Sequence, residues 1–183
     1  MKSTLAVVVM FSLALMGFGS AKKPFEEVHI PDGVVLSEPT PVEKFMDRIA
    51  QIETGGDGYH IVNRFGMMGR YQFSHATMRA VGINVSRQEF LNNKELQDTA
   101  MVRLMFRNEE QLSDIIRRYE GQTIKGVKIT RASIIAGAHF AGPNGVRAYL
   151  TNDSEHGTID GLGTSLKKYM SYFVDFHLPP LNT

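Results

Sequence analysis

The stretch "TPVEKFMDRIAQIETGGDG", residues 40–58, decides the fold because it carries both end signals of a helix. Thr40 followed by Glu43 is a capping-box pattern, and Pro41 takes the favoured first helical position. Apolar residues then recur at helical spacing, at Val42, Phe45, Met46 and Ile49. Gly55 and Gly56 predict the end of the helix.

One carboxylate, Glu53, falls on the apolar face of this helix. The spacing that links Phe45 to Ile49 continues to Glu53, in the last turn. Apolar neighbours, the negative end of the helix dipole and nearby Asp57 all disfavour the charged form, so we expect a raised pKa for Glu53. A carboxyl group protonated near neutral pH can act as a general acid. The alternative is a frayed helix end with Glu53 turned to water.

The composition is that of a soluble globular protein. The chain has 183 residues, of which 43% are hydrophobic and 21% charged, which suits one domain with its own core. Residues 1–21, with Lys2 followed by a continuous apolar stretch and then "GSA", have the layout of a secretory signal peptide cleaved after Ala21. An uncleaved membrane anchor is the alternative. The sequence has no cysteine, and export without disulfides favours the periplasm or cell envelope of a bacterium.

Charge and residue types exclude several partners. Removal of residues 1–21 takes away one basic residue, Lys2, of the 20 Lys and Arg, against 19 Asp and Glu, so electrostatics do not predict a nucleic-acid partner. The six histidines form no H-E-x-x-H motif and have no cysteine partners, so we expect neither a metal nor another cofactor. We expect the protein to be a monomer.

The remaining chain predicts a mainly helical single domain. Residues 22–41 hold four prolines and read as a linker or surface strap, the domain spans 42–178, and 179–183 form a tail. Beyond the first helix, apolar spacing and caps predict helices at 74–81, 87–92, 94–119 with a possible break near Asn108, 130–142, 144–151 and 164–176. Residues 120–129 form a short hairpin or loop, and no strand set is long enough for a substantial sheet.

Three segments in order carry a family resemblance: Glu53-Thr54, "NRFGMMGRYQF" at 63–73, and "AHFAGPNGVRAYL" at 138–150. Together they resemble the lysozyme-like lytic transglycosylases, relatives of goose-type lysozyme that cleave peptidoglycan. The matching positions in the second segment are Gly66, Gly69 and Gln72, with Asn63 in place of the family's serine. The third segment matches in spacing at Ala138, Ala141, Gly142, Pro143, Val146, Tyr149 and Leu150.

The sequence departs from the family at defined positions. Arg70-Tyr71 replaces the family's Leu-Met, and His139-Phe140 replaces a Tyr-Asn whose tyrosine lies beside the catalytic glutamate in the family. His139 therefore stands as its replacement hydrogen-bond donor or as a structural histidine. Tyr169 is the loose counterpart of a tyrosine in the family's final motif.

The resemblance implies a lysozyme-like fold and an exported lytic transglycosylase that acts on peptidoglycan glycan strands. Glu53 would be the catalytic acid and then base at the bond between N-acetylmuramic acid and N-acetylglucosamine. Substrate contacts would come from Asn63, Gly66, Gly69, Tyr71, Gln72, His139 and Tyr169. Gly66 and Gly69 would let the backbone approach the glycan, or simply form a tight turn, and Tyr71 would line the cleft or belong to the core. The alternatives are a hydrolytic muramidase of the same fold, with Asp57 as a possible second carboxylate, and a non-catalytic glycan-binding or secretion-assembly module.

Overall fold

The described part of the chain is mainly helical, as the sequence predicts. The computed structural model describes residues 38–152, 157–159, 161 and 163–181. Within these residues there are seven α-helices and one small antiparallel sheet. The predicted signal peptide, residues 22–37 of the predicted linker and residues 182–183 of the tail lie outside the described residues. None of the described helices combines the length and the apolar composition needed to cross a membrane.

The elements follow one another with short connections. The helices are α1 Pro41–Thr54, α2 His75–Ala80, α3 Arg87–Leu91, α4 Lys94–Gln111, α5 Ser113–Tyr119, α6 Arg131–Thr151 and α7 Leu166–Ser171. The strands are β1 Thr123–Ile124 and β2 Val127–Lys128, which pair between α5 and α6. Lys125 and Gly126 connect them with φ of 51° and 79°, and two positive φ values are the mark of the type I′ turn that joins two-residue hairpins.

Helix α1 has the ends that its sequence predicts. The Thr40 side chain accepts from the Glu43 backbone N–H at 3.2 Å, and the Glu43 carboxylate accepts from the Thr40 N–H at 2.7 Å. Gly55, with φ of 78°, closes the helix in the left-handed conformation. Phe45 and Ile49 are fully buried, so the apolar face of the helix packs into the core. Glu53 therefore stands in the last turn of a well-capped helix.

The segment 94–119 forms two helices, and its break lies at Leu112 rather than near Asn108. Asn108 is buried inside α4, at 2% exposure, and its carbonyl still accepts from the Leu112 N–H at 3.0 Å. Leu112 itself leaves helical geometry, with ψ of 13°. Asn108 has low helix propensity, but tertiary packing outweighs that preference here. Leu112, which the spacing does not mark as a breaker, makes the turn instead.

The two helices predicted within α6 are confirmed, whereas α7 is shorter than its predicted helix. Gly142, whose φ of 71° and ψ of 166° are not helical, separates the predicted helices 130–142 and 144–151, so α6 consists of two helices joined at a kink. The predicted helix 164–176 is shorter, because α7 begins after the Ser165 cap and ends at Ser171. From Tyr172 onward the backbone bonds run to the third preceding residue, as in the Phe173 N–H to Met170 carbonyl bond. This tighter turn continues the chain without an α-helix.

The first half of α6 forms the centre of the core. Its residues from Ala132 to Ala138 are all buried, and α6 packs against α4, α5 and α7. Gly137 has no side chain because a Cβ there would lie 2.9 Å from Cγ of Met170 on α7. The small residues of α6 thus let α7 approach closely, and that packing places Tyr169 of α7.

Candidate active site

Three helices meet at the carboxylate of Glu53. The Tyr169 hydroxyl on α7 donates to Oε1 of Glu53 at 2.8 Å. Nε2 of His139, on α6, lies 3.6 Å from the same oxygen. The Glu53 side chain keeps 22% exposure while that of His139 has 8%. The carboxylate is thus held from the protein side and remains open to a ligand.

Tyr169 is a buried donor rather than a cleft-lining residue. It is 2% exposed, and its ring stacks on Phe140 and Phe173 at centroid distances of 4.7 and 5.8 Å. Burial raises the pKa of Tyr169 well above its usual value, and the charge of Glu53 and their hydrogen bond raise it further. The phenol therefore keeps its proton at neutral pH. A bond donated to a carboxylate favours the ionised form, which opposes the effect of the half-buried setting.

His139, in the third motif, lies between Glu53 and Phe73 of the second motif. At 3.6 Å its Nε2 is too far from the carboxylate for a hydrogen bond in this geometry. Its Nδ1 is buried and has no hydrogen-bond partner among the described protein atoms. The imidazole packs edge-on against Phe73, at 6.4 Å between centroids. The loop that ends at Phe73 therefore lies beside the histidine that faces Glu53.

Asn63 and Gly66 shape the loop between α1 and α2. The Asn63 side-chain oxygen accepts from the backbone N–H groups of Phe65 and Met67 at 2.8 and 3.1 Å, so that oxygen is used by the turn itself. Gly66 has φ of 78°, and a Cβ there would meet no atom within 4 Å. Gly66 thus faces open space, where a ligand could approach its backbone.

Position 69 requires a glycine for a structural reason that cannot be seen in the sequence. Its φ is 74°, and a Cβ would lie 2.0 Å from the side-chain oxygen of Gln97. Gln97, on α4, is fully buried, and its amide donates to the carbonyls of Tyr59 and Phe90. Gly69 is therefore required by close packing on Gln97, and its predicted role of admitting a glycan to the backbone does not fit this contact.

Tyr71 does not line a cleft. It is completely buried, and its hydroxyl donates to Asp98 on α4 at 2.7 Å. Burial, and after it the charge of Asp98, raises the pKa of Tyr71. The prediction of Tyr71 as a substrate contact is wrong because the turn at Gly69 directs this side chain into the core. The alternative prediction, that Tyr71 belongs to the core, is confirmed.

Gln72 has an unusual backbone conformation beside the site. Its φ is 53°, which side-chain-bearing residues rarely adopt. Its side-chain amide donates to the Gly69 carbonyl at 2.9 Å, and the residue is half-buried. Strained backbone that the surroundings maintain is often found at functional sites.

Several residues that shape the site escape the sequence reasoning. The Thr54 hydroxyl, next to Glu53, donates to the Arg70 carbonyl at 3.0 Å and so ties the end of α1 to the loop. Gln97 and Asp98 of α4 hold that loop from the other side. The local signals are Thr54, which belongs to the first motif, and Arg70, a single charge in the otherwise uncharged "FGMMGRYQF". Gln97 and Asp98 have no signal, because their partners are distant in sequence.

Phe65 is an exposed aromatic on the same loop. Its exposure is 55%, which is unusual for so large an apolar side chain. The guanidinium of Arg64 lies over its ring at 4.8 Å from the centroid. A Cβ on Gly161 would lie 3.0 Å from the tip of the ring, so residue 161 packs against the loop. Phe65 is an exposed feature of the loop between α1 and α2 that the sequence patterns do not single out.

One groove of the described residues has no Glu53 in its walls. A groove of about 490 Å³ lies along the C-terminal segment, and its walls include Lys128, Arg131 and His177. In the parts of the chain that the structure describes, no three His, Cys, Asp or Glu side chains are grouped so that they could hold a metal ion. The contacts of Glu53, and not a cavity, identify the candidate site.

Comparison of the chain with family models, with curated proteins and with solved structures gives no significant match in any of the three. The geometry around Glu53 and the order of the three sequence motifs are the observations that bear on the function of this chain.

Proposed function

We propose that this chain is a lysozyme-like lytic transglycosylase that cleaves the glycan strands of peptidoglycan, with Glu53 as its single catalytic acid and base. One observation carries the proposal. The Glu53 carboxylate accepts a hydrogen bond from the Tyr169 hydroxyl at 2.8 Å, and Nε2 of His139 lies 3.6 Å from the same oxygen. Glu53 belongs to the first of the three motifs that resemble this family. The loop that packs on His139 belongs to the second motif, and His139 belongs to the third. Their convergence on one carboxyl group that keeps 22% exposure supports a shared chemical role.

In the first step Glu53 acts as the acid. Its carboxyl proton passes to the glycosidic oxygen between N-acetylmuramic acid and N-acetylglucosamine, and the bond from that oxygen to the anomeric carbon breaks. The carbonyl oxygen of the 2-acetamido group bonds to the anomeric carbon as the leaving sugar departs. The substrate thus supplies the group that a second carboxylate supplies in most glycosidases.

In the second step the ionised Glu53 acts as the base. It removes the proton of the muramic C6 hydroxyl, whose oxygen attacks the anomeric carbon and displaces the acetamido oxygen. The product is a 1,6-anhydro sugar, and Glu53 is protonated again. Because one group must give and then take a proton, its two forms must be close in free energy. The Tyr169 hydrogen bond stabilises the ionised form that the second step needs.

The surrounding residues have supporting roles in this proposal. Gly66 leaves open space beside the loop, which suits close approach of a sugar to the backbone. Gln72 keeps its strained conformation near the loop's contact with α1, and its amide oxygen and Gly66 are the loop's candidate substrate contacts. The proposed setting is the periplasm or cell envelope of a bacterium, where peptidoglycan lies, with the protein acting as a monomer.

Product analysis tests the reaction. Purified peptidoglycan is digested with the protein, and the soluble muropeptides are identified by mass spectrometry. The proposal predicts products that end in 1,6-anhydro-N-acetylmuramic acid. Products with a reducing end, heavier by one water, would instead indicate a hydrolytic muramidase, and the absence of any soluble product would contradict enzymatic cleavage of this substrate.

A further inference from the structure

Arg70 is bonded through every polar group that it has. Its backbone N–H donates to Gln97 at 2.8 Å, and its carbonyl accepts from Thr54 at 3.0 Å. Its guanidinium donates to the Gly56 carbonyl at 2.8 Å, to Asp47 at 2.6 Å and to the Tyr71 hydroxyl at 2.7 Å. With 15% side-chain exposure, this arginine is fixed within the protein and does not project into solvent.

Three partners of Arg70 belong to the helix that carries Glu53 or to the turn that follows it. Asp47 is on α1, and Gly56 follows three residues after Glu53. Thr54 is the next residue after Glu53, and its bond reaches the Arg70 carbonyl. Arg70 therefore fastens the loop to the last turn of α1 through both its backbone and its side chain, and Gln72 is only two residues further along the loop.

A second group of contacts holds Arg70 from α4. Asp98 accepts from the hydroxyls of Tyr71 at 2.7 Å and of Tyr59 at 3.2 Å, and lies 3.7 Å from the guanidinium. The guanidinium also lies over the rings of Tyr59 and Tyr71, 5.3 Å from each centroid. A planar guanidinium donates from three separate nitrogens and can also stack on aromatic rings, whereas a lysine ammonium donates from a single nitrogen and has no planar face.

We propose that Arg70, held by Asp98, is a positioning residue. It fixes the part of the α1–α2 loop that contains Gln72 against the C-terminal end of α1, which carries Glu53. This inference rests on the proposed function for its catalytic consequence. The strain at Gln72 favours a different backbone, so the loop needs an external restraint to keep it. Arg70 provides that restraint, and it stands where the resembling family has an apolar residue. The geometry between acid and loop is set by Arg70 rather than by apolar packing.

The test compares Arg70→Lys and Asp98→Asn with the wild type. The matched control is Arg147→Lys, because Arg147 also makes three guanidinium hydrogen bonds, to Asp114 and to the Gln111 carbonyl, but away from the loop. For each protein, kcat and KM are measured on a soluble peptidoglycan fragment of defined length. Amide hydrogen exchange is measured at Gly69 and Gln72, whose N–H groups bond to the carbonyls of Ile61 and Gly69.

The expected result for Arg70→Lys is a kcat about tenfold to a hundredfold lower, because a misplacement near 1 Å has that effect. KM should stay within about threefold, since a positioning residue acts on the transition state more than on binding. Exchange at the two loop amides should be at least about tenfold faster, while Arg147→Lys matches the wild type. Asp98→Asn should give a smaller change in the same direction and carries the test if Arg70→Lys fails to fold.

Two results would overturn the inference: a kcat equal to that of the control, or a lower kcat with unchanged exchange at Gly69 and Gln72. If the wild type itself releases nothing from peptidoglycan, the proposed function is wrong while the exchange measurement still decides the restraint. Faster exchange in Arg70→Lys then supports the role of Arg70 in fixing the loop, and unchanged exchange contradicts it.

Discussion

The Tyr169 hydroxyl donates to Oε1 of Glu53 at 2.8 Å, across 116 residues of sequence. This bond exists because α7 packs on the small residues of α6, where Gly137 admits Met170. Tyr169 is buried and its ring stacks against Phe140 and Phe173, so the donor has little freedom. The position of the Glu53 carboxylate thus depends on a side chain that is almost completely buried.

Replacing Tyr169 with phenylalanine removes this donor and keeps the ring. Hydrogen bonds to charged groups contribute about 1.5–3 kcal/mol, so we expect Tyr169→Phe to lower kcat by about tenfold to a hundredfold. The measurement is muropeptide release with saturating substrate, alongside a thermal melt. Tyr172→Phe is the matched control, since Tyr172 is half-buried on the same turn and lies under Arg48. Equal rates for the two variants would show that the bond has no catalytic role.

His139 should matter less than Tyr169, because its Nε2 lies 3.6 Å from Glu53, beyond hydrogen-bond distance. His139→Phe keeps the edge-on packing against Phe73 and removes the imidazole nitrogens. We expect a folded protein whose kcat falls by less than that of Tyr169→Phe, measured in the same assay. A larger loss than for Tyr169→Phe would mean that His139 moves onto the carboxylate when substrate binds.

Substitutions at Gln72 should affect stability and activity differently, because the residue is strained and is a candidate substrate contact. Gln72→Gly relieves the positive φ, a gain of about 1 kcal/mol, and loses the bond to the Gly69 carbonyl, worth about 1 kcal/mol. Gln72→Ala loses the bond and keeps the strain. The glycine variant should therefore be near wild type in urea denaturation and the alanine variant about 1 kcal/mol less stable. Both should lose activity, and an alanine variant as stable as the glycine variant would exclude strain at this position.

Local signals in the sequence predict the part of the structure that local interactions determine. The Thr40 cap, the Gly55 stop and the buried spacing from Phe45 to Ile49 are set within one helix, and all three are present. The same reasoning places Glu53 at the end of α1. The break at Leu112 escapes it, because the packing of Asn108 in the core overrides helix propensity.

The contacts around the site are less predictable because they join distant segments. Tyr71 and Gln72 are adjacent, and the sequence leaves open whether Tyr71 lines a cleft or belongs to the core. That choice is made by the Gly69 turn against Gln97, a residue of α4. In the same way, the sequence predicts Asp98 as an ordinary carboxylate on the surface of a helix. Only the fold shows that Tyr59, Tyr71 and Arg70 surround it.

Alkaline pH should weaken the group of contacts at Asp98. Burial, and after it the charge of Asp98, raises the pKa of Tyr59 from 10.0 to about 12. Because the folded pKa lies above the unfolded one, the contribution of this hydroxyl to stability is complete below pH 10 and is lost as pH rises towards about 12. The difference in unfolding free energy between wild type and Tyr59→Phe should be constant up to pH 10 and then decrease. A difference that stays constant over the whole range would contradict the raised pKa.

The most direct test of the account replaces Glu53 with glutamine, which keeps the shape of the side chain and removes its acid. Wild type and Glu53→Gln are incubated with purified peptidoglycan, with Glu110→Gln, an exposed residue of α4, as the matched control. Mass spectrometry of the soluble products should find 1,6-anhydro muropeptides from the wild type and from Glu110→Gln. Glu53→Gln, folded by thermal melt, should release less than about a thousandth of that amount, because both proton transfers are lost. Release by Glu53→Gln at the wild-type rate would contradict the assignment of Glu53 as the catalytic acid and base.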